Sequence, residues 1–200
     1  MSNSGATRES PLAGFRFNGA VEEANSGLRL EERALLGHVN LRGDHNDALF
    51  AASIRSALGF SVPTATNTFV SREGNTAVWL GPDEWLIVTQ SGEETDLIDR
   101  LRRALTGIHS SVTDITGGQT VLRLSGPKVH DLLAKGCTLD LHARSFGPGQ
   151  CAQTNIAHAA VTLLQIDDSP TYDVVVRRSF ARYLALWIED AASEYGLSAG

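Results

Sequence analysis

The strongest constraint on the fold of this chain is an order of predicted elements that occurs twice, at an offset of 83 positions. The segment LRGD at 41–44 lies 83 positions before LSGP at 124–127, and Val78 lies the same distance before Val161. Further pairs at this offset are Leu97 with Phe180 and Leu101 with Leu184. Because like elements follow in like order, the sequence predicts an α+β fold made of two related β-α-β-β-β-α lobes.

The first half contains strand and helix patterns separated by short polar turns. Residues 38–43 alternate as a strand does, and Asp44 is predicted to be the N-cap of the helix that follows. Gly59 is predicted to end that helix. The apolar positions at helical spacing within it are Leu49, Ala52, Ile54 and Leu58. Two strands then flank a turn at 81–83, and the next helix has an apolar stripe made of Leu97, Ile98, Leu101 and Leu105.

The second half has the same order. Residues 119–126 form a predicted strand, and Pro127 is predicted at the first position of a helix that ends at Gly136. Three strands follow, in CAQTNIA, AVTLLQI and TYDVVVRR. The last helix is predicted to have Ser179 as its N-cap and one apolar face made of Phe180, Leu184, Trp187, Ile188 and Ala191.

Length and charge narrow the class of protein. The chain has 200 residues, 42% of them hydrophobic, and a formal net charge of −6. We expect a polar, disordered tail at 1–9 and a single domain at 10–200, with lobe one at about 27–107 and lobe two at about 108–196. The negative charge argues against nucleic-acid partners. The sequence contains no run of about 18 apolar residues, so it predicts no membrane-spanning helix. With no secretory signal and only Cys137 and Cys151, both expected as reduced thiols, we predict a cytoplasmic protein.

Asp83 and Glu84 are the most conspicuous acidic pair, in the segment LGPDEWLIV. Gly81-Pro82-Asp83-Glu84 fits a type I turn, in which proline is favoured at the second position. Adjacent strand residues point to opposite faces, so two such carboxylates do not easily share an acid–base site. We therefore predict the polar tip of a hairpin rather than a catalytic pair.

No other pattern predicts chemistry. The six histidines (His38, His45, His109, His130, His142 and His158) match no metal-binding spacing, with or without Cys137 and Cys151. No phosphate-binding glycine motif or serine-nucleophile motif occurs. The sequence therefore predicts no catalytic, cofactor or metal residue. Arg177, Arg178 and Arg182 form a basic cluster at the last helix, which is either a solvated face or a docking surface for an acidic partner.

Several segments carry a family resemblance. LRGD, LGPDEWL, SVTDITGGQTVLRLSGP, LLAKGCTLDLH, PGQCAQT and VRRSFARYLALWI together resemble the gamma subunit of heterotetrameric sarcosine oxidase, from about Ser10 to Tyr195. LGPDEWL and KGC-x-LDLH are the most specific of them. The family is similar to the folate-binding domain of aminomethyltransferases, which implies an α+β fold of that kind.

The resemblance implies a role in a four-subunit enzyme. Such complexes oxidatively demethylate sarcosine to glycine, pass the one-carbon unit to tetrahydrofolate and give hydrogen peroxide. In the family, FAD and FMN belong mainly to the beta subunit, NAD and folate to alpha, and zinc to delta. The resemblance thus implies a non-catalytic structural subunit with alpha, beta and delta partners and no cofactor of its own.

Asp140 is the one candidate folate contact. Aminomethyltransferases have a Thr-Asn-Asp segment whose carboxylate meets the folate, and Thr138-Leu139-Asp140 matches it with leucine in place of asparagine. A later Gly-x-x-x-Asp pattern is absent at 157–160. Without these polar side chains, hydrogen-bonding groups of the pterin ring would be left unpaired in a buried site, which costs binding free energy. We therefore expect that folate binding has been lost and that Asp140 has a structural role. Two alternatives remain: a free-standing folate-dependent aminomethyltransferase or folate-binding module, and the matching subunit of a related N-methyl amino acid dehydrogenase.

Overall fold

The structure is a computed structural model that describes residues 8–17, 20–22 and 26–199. Of the predicted disordered tail at 1–9, residues 1–7 lie outside the described residues. Arg8 and Glu9 are described and contact the body of the protein. Arg8 forms an ion pair with Glu94 at 2.6 Å, and the carbonyl of Glu9 accepts a hydrogen bond from Arg178 at 2.7 Å.

The described residues form eleven strands and four helices. In the first half these are β1 (Leu28–Arg33), β2 (Gly37–Gly43), α1 (Ala48–Leu58), β3 (Phe69–Arg72), β4 (Asn75–Gly81), β5 (Glu84–Thr89) and α2 (Glu94–Ala104). In the second half they are β6 (Ser110–Asp114), β7 (Gln119–Ser125), α3 (Val129–Ala134), β8 (Cys151–Ile156), β9 (Ala159–Asp167), β10 (Thr171–Arg177), α4 (Arg178–Ala191) and β11 (Leu197–Ala199). The predicted order β-α-β-β-β-α is found from β2 to α2 and again from β7 to α4, which confirms the α+β fold class.

Two sheets contain these strands. Sheet A has the order β11-β1-β7-β10-β9-β8, and sheet B has the order β3-β4-β5-β2-β6. Neighbouring strands are antiparallel except for β1 and β11. Strand β1 pairs with β7, and β6 pairs with β2, so each sheet takes one strand from the range predicted for the other lobe. At β1 and β6, therefore, the sheets differ from the predicted lobe ranges 27–107 and 108–196.

Among the described residues, the core consists of three clusters of buried apolar side chains. Helices α3 and α4 pack on one face of sheet A, with Leu132 and Leu184 among the residues of that cluster. Helices α1 and α2 pack on one face of sheet B around Trp85. The remaining faces of the two sheets meet each other, where Leu86 and Val88 of sheet B pack with Val175 of sheet A. The layers thus follow the order helix, sheet, sheet, helix, which buries both faces of each sheet.

Helix α1 begins later than predicted, and two of its four predicted apolar positions, Ile54 and Leu58, are buried. Its N-cap is Asp47, whose carboxylate accepts a hydrogen bond from the Leu49 backbone at 2.8 Å. Asp44, predicted as the cap, instead accepts from the backbone of Asn46 in a tight turn, so that prediction is wrong. The predicted apolar positions Leu49 and Ala52 are exposed, and the buried face consists of Phe50, Ile54 and Leu58. Gly59 ends the helix with φ +85°, as predicted.

Helix α3 also begins later than predicted. Gly126 has φ +116°, and the Val129 backbone donates to its carbonyl at 3.1 Å. This turn contains Pro127, so the proline lies before the helix and not at its first position. The prediction for Pro127 is therefore wrong by two residues.

Helix α4 was predicted with the wrong cap and a rotated face. It begins at Arg178 directly after β10, and the Arg178 backbone donates to the Gly118 carbonyl at 2.9 Å, so Ser179 is not the N-cap. Its buried residues are Ala181, Leu184, Ala185, Ile188 and Ala191. Phe180 is exposed and Trp187 half-buried, because the small residues Ala181 and Ala185 let that side of the helix approach the sheet. Across the described residues, no helix is long and apolar enough to cross a membrane.

Helix α2 matches its prediction. Its acids precede its arginines, which suits the helix dipole, and Leu97, Ile98, Leu101 and Leu105 are buried. One charged residue is buried beside them: Glu94 is the first residue of the helix. A Cβ atom at Gly37 would lie 2.7 Å from the Cβ of Glu94, so the glycine provides the space that Glu94 occupies.

Candidate functional site

The two hairpin-tip acids have separate partners. Asp83 forms an ion pair with Arg42 at 3.0 Å, and both side chains are more than half exposed. Glu84 accepts a hydrogen bond from the amide of Asn40 at 2.7 Å. The turn lies between β4 and β5, as predicted. It borders an open groove of about 570 Å³ that also contains His45 and His109.

Asp140 lies in the loop between α3 and β8, and its carboxylate is bound within that loop. One oxygen accepts from the Ser145 hydroxyl at 2.8 Å, and the other accepts from the His142 backbone at 3.1 Å. The hydrogen bond from Ser145, and then that from the His142 backbone, lowers the pKa of Asp140 below its ordinary value. Leu139, where the enzyme pattern has asparagine, packs against the core of sheet A. This geometry braces the loop.

A hydrogen-bond network that the sequence patterns did not predict connects exposed His130 of α3 to two buried side chains of sheet A. The hydroxyl of Tyr172 donates to Gln165 at 2.9 Å and lies 2.8 Å from the Nε2 atom of His130. The tyrosine hydrogen is engaged by Gln165, so His130 must donate through Nε2. Burial raises the pKa of Tyr172 to about 12. The phenol therefore stays protonated at neutral pH and serves as a structural link.

His38 is the second polar group that sequence reasoning missed. It is 1% exposed, and neither ring nitrogen has a hydrogen-bond partner among the described residues. Burial lowers the pKa of His38 to about 4, against smaller opposing effects of the Leu36 backbone and the Glu94 carboxylate. The ring is therefore neutral at pH 7.

The cysteines and histidines do not form a metal site. Over residues 8–17, 20–22 and 26–199, no group of three histidine, cysteine, aspartate or glutamate side chains could hold a metal ion. Cys137 and Cys151 are free, buried thiols, as expected. Burial raises the pKa of Cys151 to about 11, which keeps it an unreactive thiol at neutral pH.

The basic cluster lies at the start of α4. Arg177, Arg178 and Arg182 are all exposed. Arg178 donates to the Glu9 carbonyl, and the guanidinium of Arg182 lies 5.8 Å from the ring centroid of Phe15. These contacts fasten the N-terminal segment to α4 and leave the outer surface of the cluster open to solvent.

Sequence comparison decides what kind of chain this is. The sequence profile described as "Sarcosine oxidase, gamma subunit family" matches residues 42–194. A gamma subunit of sarcosine oxidase from Corynebacterium sp. (strain P-1) is 32% identical over 191 residues, which cover 95% of this chain and 92% of that protein. The chain belongs to the sarcosine oxidase gamma subunit family.

Solved structures agree with this membership. A chain of heterotetrameric sarcosine oxidase from Corynebacterium sp. U-96, in complex with pyrrole 2-carboxylate, matches with a TM-score of 0.83 and 30% identity. That match covers 94% of this chain and 96% of the other. Glycine cleavage system aminomethyltransferase T from Bartonella henselae matches with a TM-score of 0.62 and 13% identity over 88% of this chain and 48% of that one. The second match shows a shared fold, as the resemblance implied for this gamma-subunit family member.

Proposed function

We propose that this chain is a non-catalytic structural and assembly subunit of a four-subunit sarcosine oxidase, with alpha, beta and delta partners. The observation that carries the proposal is the likeness to a chain of heterotetrameric sarcosine oxidase, which extends over nearly the full length of both chains. A likeness of this extent supports an equivalent role as one subunit, whereas a likeness limited to a short segment would support only a shared domain.

The proposed complex demethylates sarcosine to glycine. The methyl carbon passes to tetrahydrofolate as methylene-tetrahydrofolate, and two electrons pass through flavins to oxygen, which becomes hydrogen peroxide. FAD and FMN are assigned mainly to the beta subunit, NAD and folate to alpha, and zinc to delta. This chain holds none of these groups in the proposal.

The arrangement of the acidic side chains supports a non-catalytic role. General acid–base catalysis needs carboxyl groups with different environments that reach one substrate. Asp83 and Glu84 are bound instead to Arg42 and Asn40, at an exposed turn. Asp140 is bound to its own loop.

The Asp140 loop does not fit a folate. Each carboxylate oxygen accepts one hydrogen bond from within the loop, from Ser145 or from the His142 backbone, and these bonds hold the Asp140 side chain against its own loop. Leu139 contributes an apolar side chain that packs against the core, and it cannot supply a hydrogen bond. The proposal therefore places no folate site on this chain. The aminomethyltransferase alternative is supported only by the shared fold.

Co-purification tests the proposal. We expect a tagged form of this chain, expressed with the other oxidase subunits from the same source, to bring down a yellow complex that makes hydrogen peroxide from sarcosine. The tagged chain alone should be colourless and inactive. A stoichiometric flavin on the isolated chain, or failure to co-purify, would refute the proposal. If the complex oxidises another N-methyl amino acid much faster than sarcosine, the related-dehydrogenase alternative is favoured.

A further inference from the structure

Helix α4 carries large apolar side chains on a second face, away from the core. Phe180, Tyr183 and Leu186 are 40%, 37% and 47% exposed. Because they are spaced three residues apart, they lie on adjoining turns of the helix, and Trp187 borders them. A surface helix normally has a polar outer face, so a second apolar face indicates a contact outside this chain.

These side chains are held in place before any partner binds. The rings of Phe180 and Tyr183 are perpendicular, with centroids 6.2 Å apart, and the hydroxyl of Tyr183 accepts a hydrogen bond from the His158 backbone at 3.3 Å. Trp187 packs over Gly136, where a Cβ atom would lie 2.4 Å from the indole. Aromatic anchors that are already ordered lose little entropy on binding, which favours their use in interfaces.

A positive edge runs beside this apolar face. Arg178, Arg182, Leu186 and Asp190 follow each other at intervals of four residues, so the two arginines line up with the apolar side chains at the N-terminal part of the helix and the row ends in an acid. The chain as a whole has a net charge of −6, so this edge is a local exception. We call Phe180, Tyr183 and Leu186, with Arg178 and Arg182, the α4 surface.

The choice of occupant follows from composition and charge. The first seven residues, MSNSGAT, contain no aromatic or branched apolar side chain. A second copy would bring together two chains that each have a net charge of −6. A different protein with an apolar groove edged by carboxylates would match both the aromatic side chains and the arginines.

We propose that the α4 surface is where this chain docks on a larger subunit of the sarcosine oxidase, through an apolar groove edged by acidic side chains. This inference rests on the proposed function and adds the face and the chemistry of the contact. Burial of Phe180, Tyr183 and Leu186 supplies the affinity, and the arginines align the two subunits.

The test compares two leucines in the co-expressed complex. Leu186→Asp places a charge in the α4 surface, and Leu49→Asp makes the same change at a 69% exposed leucine on α1. We expect Leu186→Asp to reduce co-purification of the other subunits at least tenfold, and Leu49→Asp to leave it unchanged. Arg182→Glu should weaken assembly in a salt-dependent way, whereas Arg100→Glu on α2 should not. Thermal unfolding of each isolated variant checks that it is folded.

The outcomes separate this inference from the proposed function. If the unmodified chain fails to assemble, the proposed function itself is wrong. If the unmodified chain assembles and folded Leu186→Asp and Arg182→Glu assemble equally well, the docking face lies elsewhere and this inference is overturned. If light scattering shows the isolated chain to be a dimer that Leu186→Asp converts to a monomer, the α4 surface binds a second copy and the inference is also overturned.

Discussion

The hydroxyl of Ser145 donates a hydrogen bond to the carboxylate of Asp140 across 2.8 Å. Together with the bond from the His142 backbone, it ties the Asp140 carboxylate into its own loop. Four residues beyond His142 the loop reaches Phe146, whose ring stacks on Tyr172 with an interplanar angle of 8°. The carboxylate thus orders a loop that packs against the core of sheet A.

Replacing Asp140 by asparagine tests this structural role. The hydrogen bonds lower the pKa of the carboxyl in the folded state, so its contribution to stability is present above the ordinary pKa of 3.8 and is lost as pH falls through the folded pKa. Asp140→Asn should therefore lower the unfolding temperature slightly at pH 7, and by less at an acidic pH below 3.8. Thermal unfolding at both pH values measures the difference.

A calorimetric titration with a reduced folate is the companion measurement. We expect a flat titration for the unmodified chain and for Asp140→Asn, and intact folate-dependent product formation by a complex that contains the variant. Saturable micromolar binding that disappears in the variant would overturn the structural role and favour the aminomethyltransferase alternative.

The prediction of α2 was accurate and that of α4 was not, for a physical reason. The polar and apolar residues of α2 separate cleanly, so one face only can be buried. Helix α4 is apolar over a wide arc, and helical spacing alone cannot tell Phe180 from Ala181 as the core residue. Strands β1, β3 and β11 were not predicted, because the short β3 and β11 have few alternating residues and β1 is rich in charge.

The hairpin tip is expected to be insensitive to the loss of either carboxylate. Exposed ion pairs contribute roughly 0 to 1 kcal/mol, because water screens them and long side chains lose freedom. Asp83→Asn and Glu84→Gln should each change the free energy of unfolding by less than about 1 kcal/mol. Urea unfolding checks this. The activity of a complex carrying either variant should stay near that of the unmodified complex.

A large loss of activity in either hairpin-tip variant would indicate that the carboxylate takes part in catalysis. If either variant assembled normally and lowered kcat by about 100-fold, the transition state would have lost roughly 2.7 kcal/mol of stabilisation. An exposed turn with no role in the reaction cannot produce such a loss.

The network of Tyr172 should carry measurable stability. Tyr172→Phe keeps the ring and removes the hydroxyl, which leaves the buried side-chain oxygen of Gln165 without its donor. We expect a loss of about 1 to 3 kcal/mol in the free energy of unfolding. Tyr183→Phe, at an exposed tyrosine, is the matched control and should change it by less than about 0.5 kcal/mol. Equal effects in urea unfolding would contradict a structural role for the network.

His38 shows why the buried polar groups escaped prediction. The alternation of β2 places Val39 and Leu41 in the core with α1 and α2, and therefore assigns His38 to the opposite face. In an antiparallel sheet that face is often open to water. Here it is covered by sheet A, and the pattern of a single strand does not reveal that a second sheet lies there.

The buried ring of His38 should make stability fall in mild acid. Its folded pKa of about 4 lies below the ordinary 6.5, so between these values the unfolded chain binds a proton that the folded chain does not. The stability is fully present above pH 6.5 and is lost progressively towards pH 4. At pH 4.5 the loss from this group should be about 2 to 3 kcal/mol.

His38→Leu removes the titrating group and leaves an apolar side chain of similar volume. We expect urea unfolding to show a smaller difference in stability between pH 7 and pH 4.5 than in the unmodified chain, with equal or greater stability at pH 7 because the unpartnered nitrogens are gone. His109→Gln, at an exposed histidine, is the control and should keep the full acid-induced loss. If His38→Leu lost as much stability in acid as the unmodified chain, then His38 would already be protonated or hydrated in the fold. The gap between the two sheets would in that case admit water.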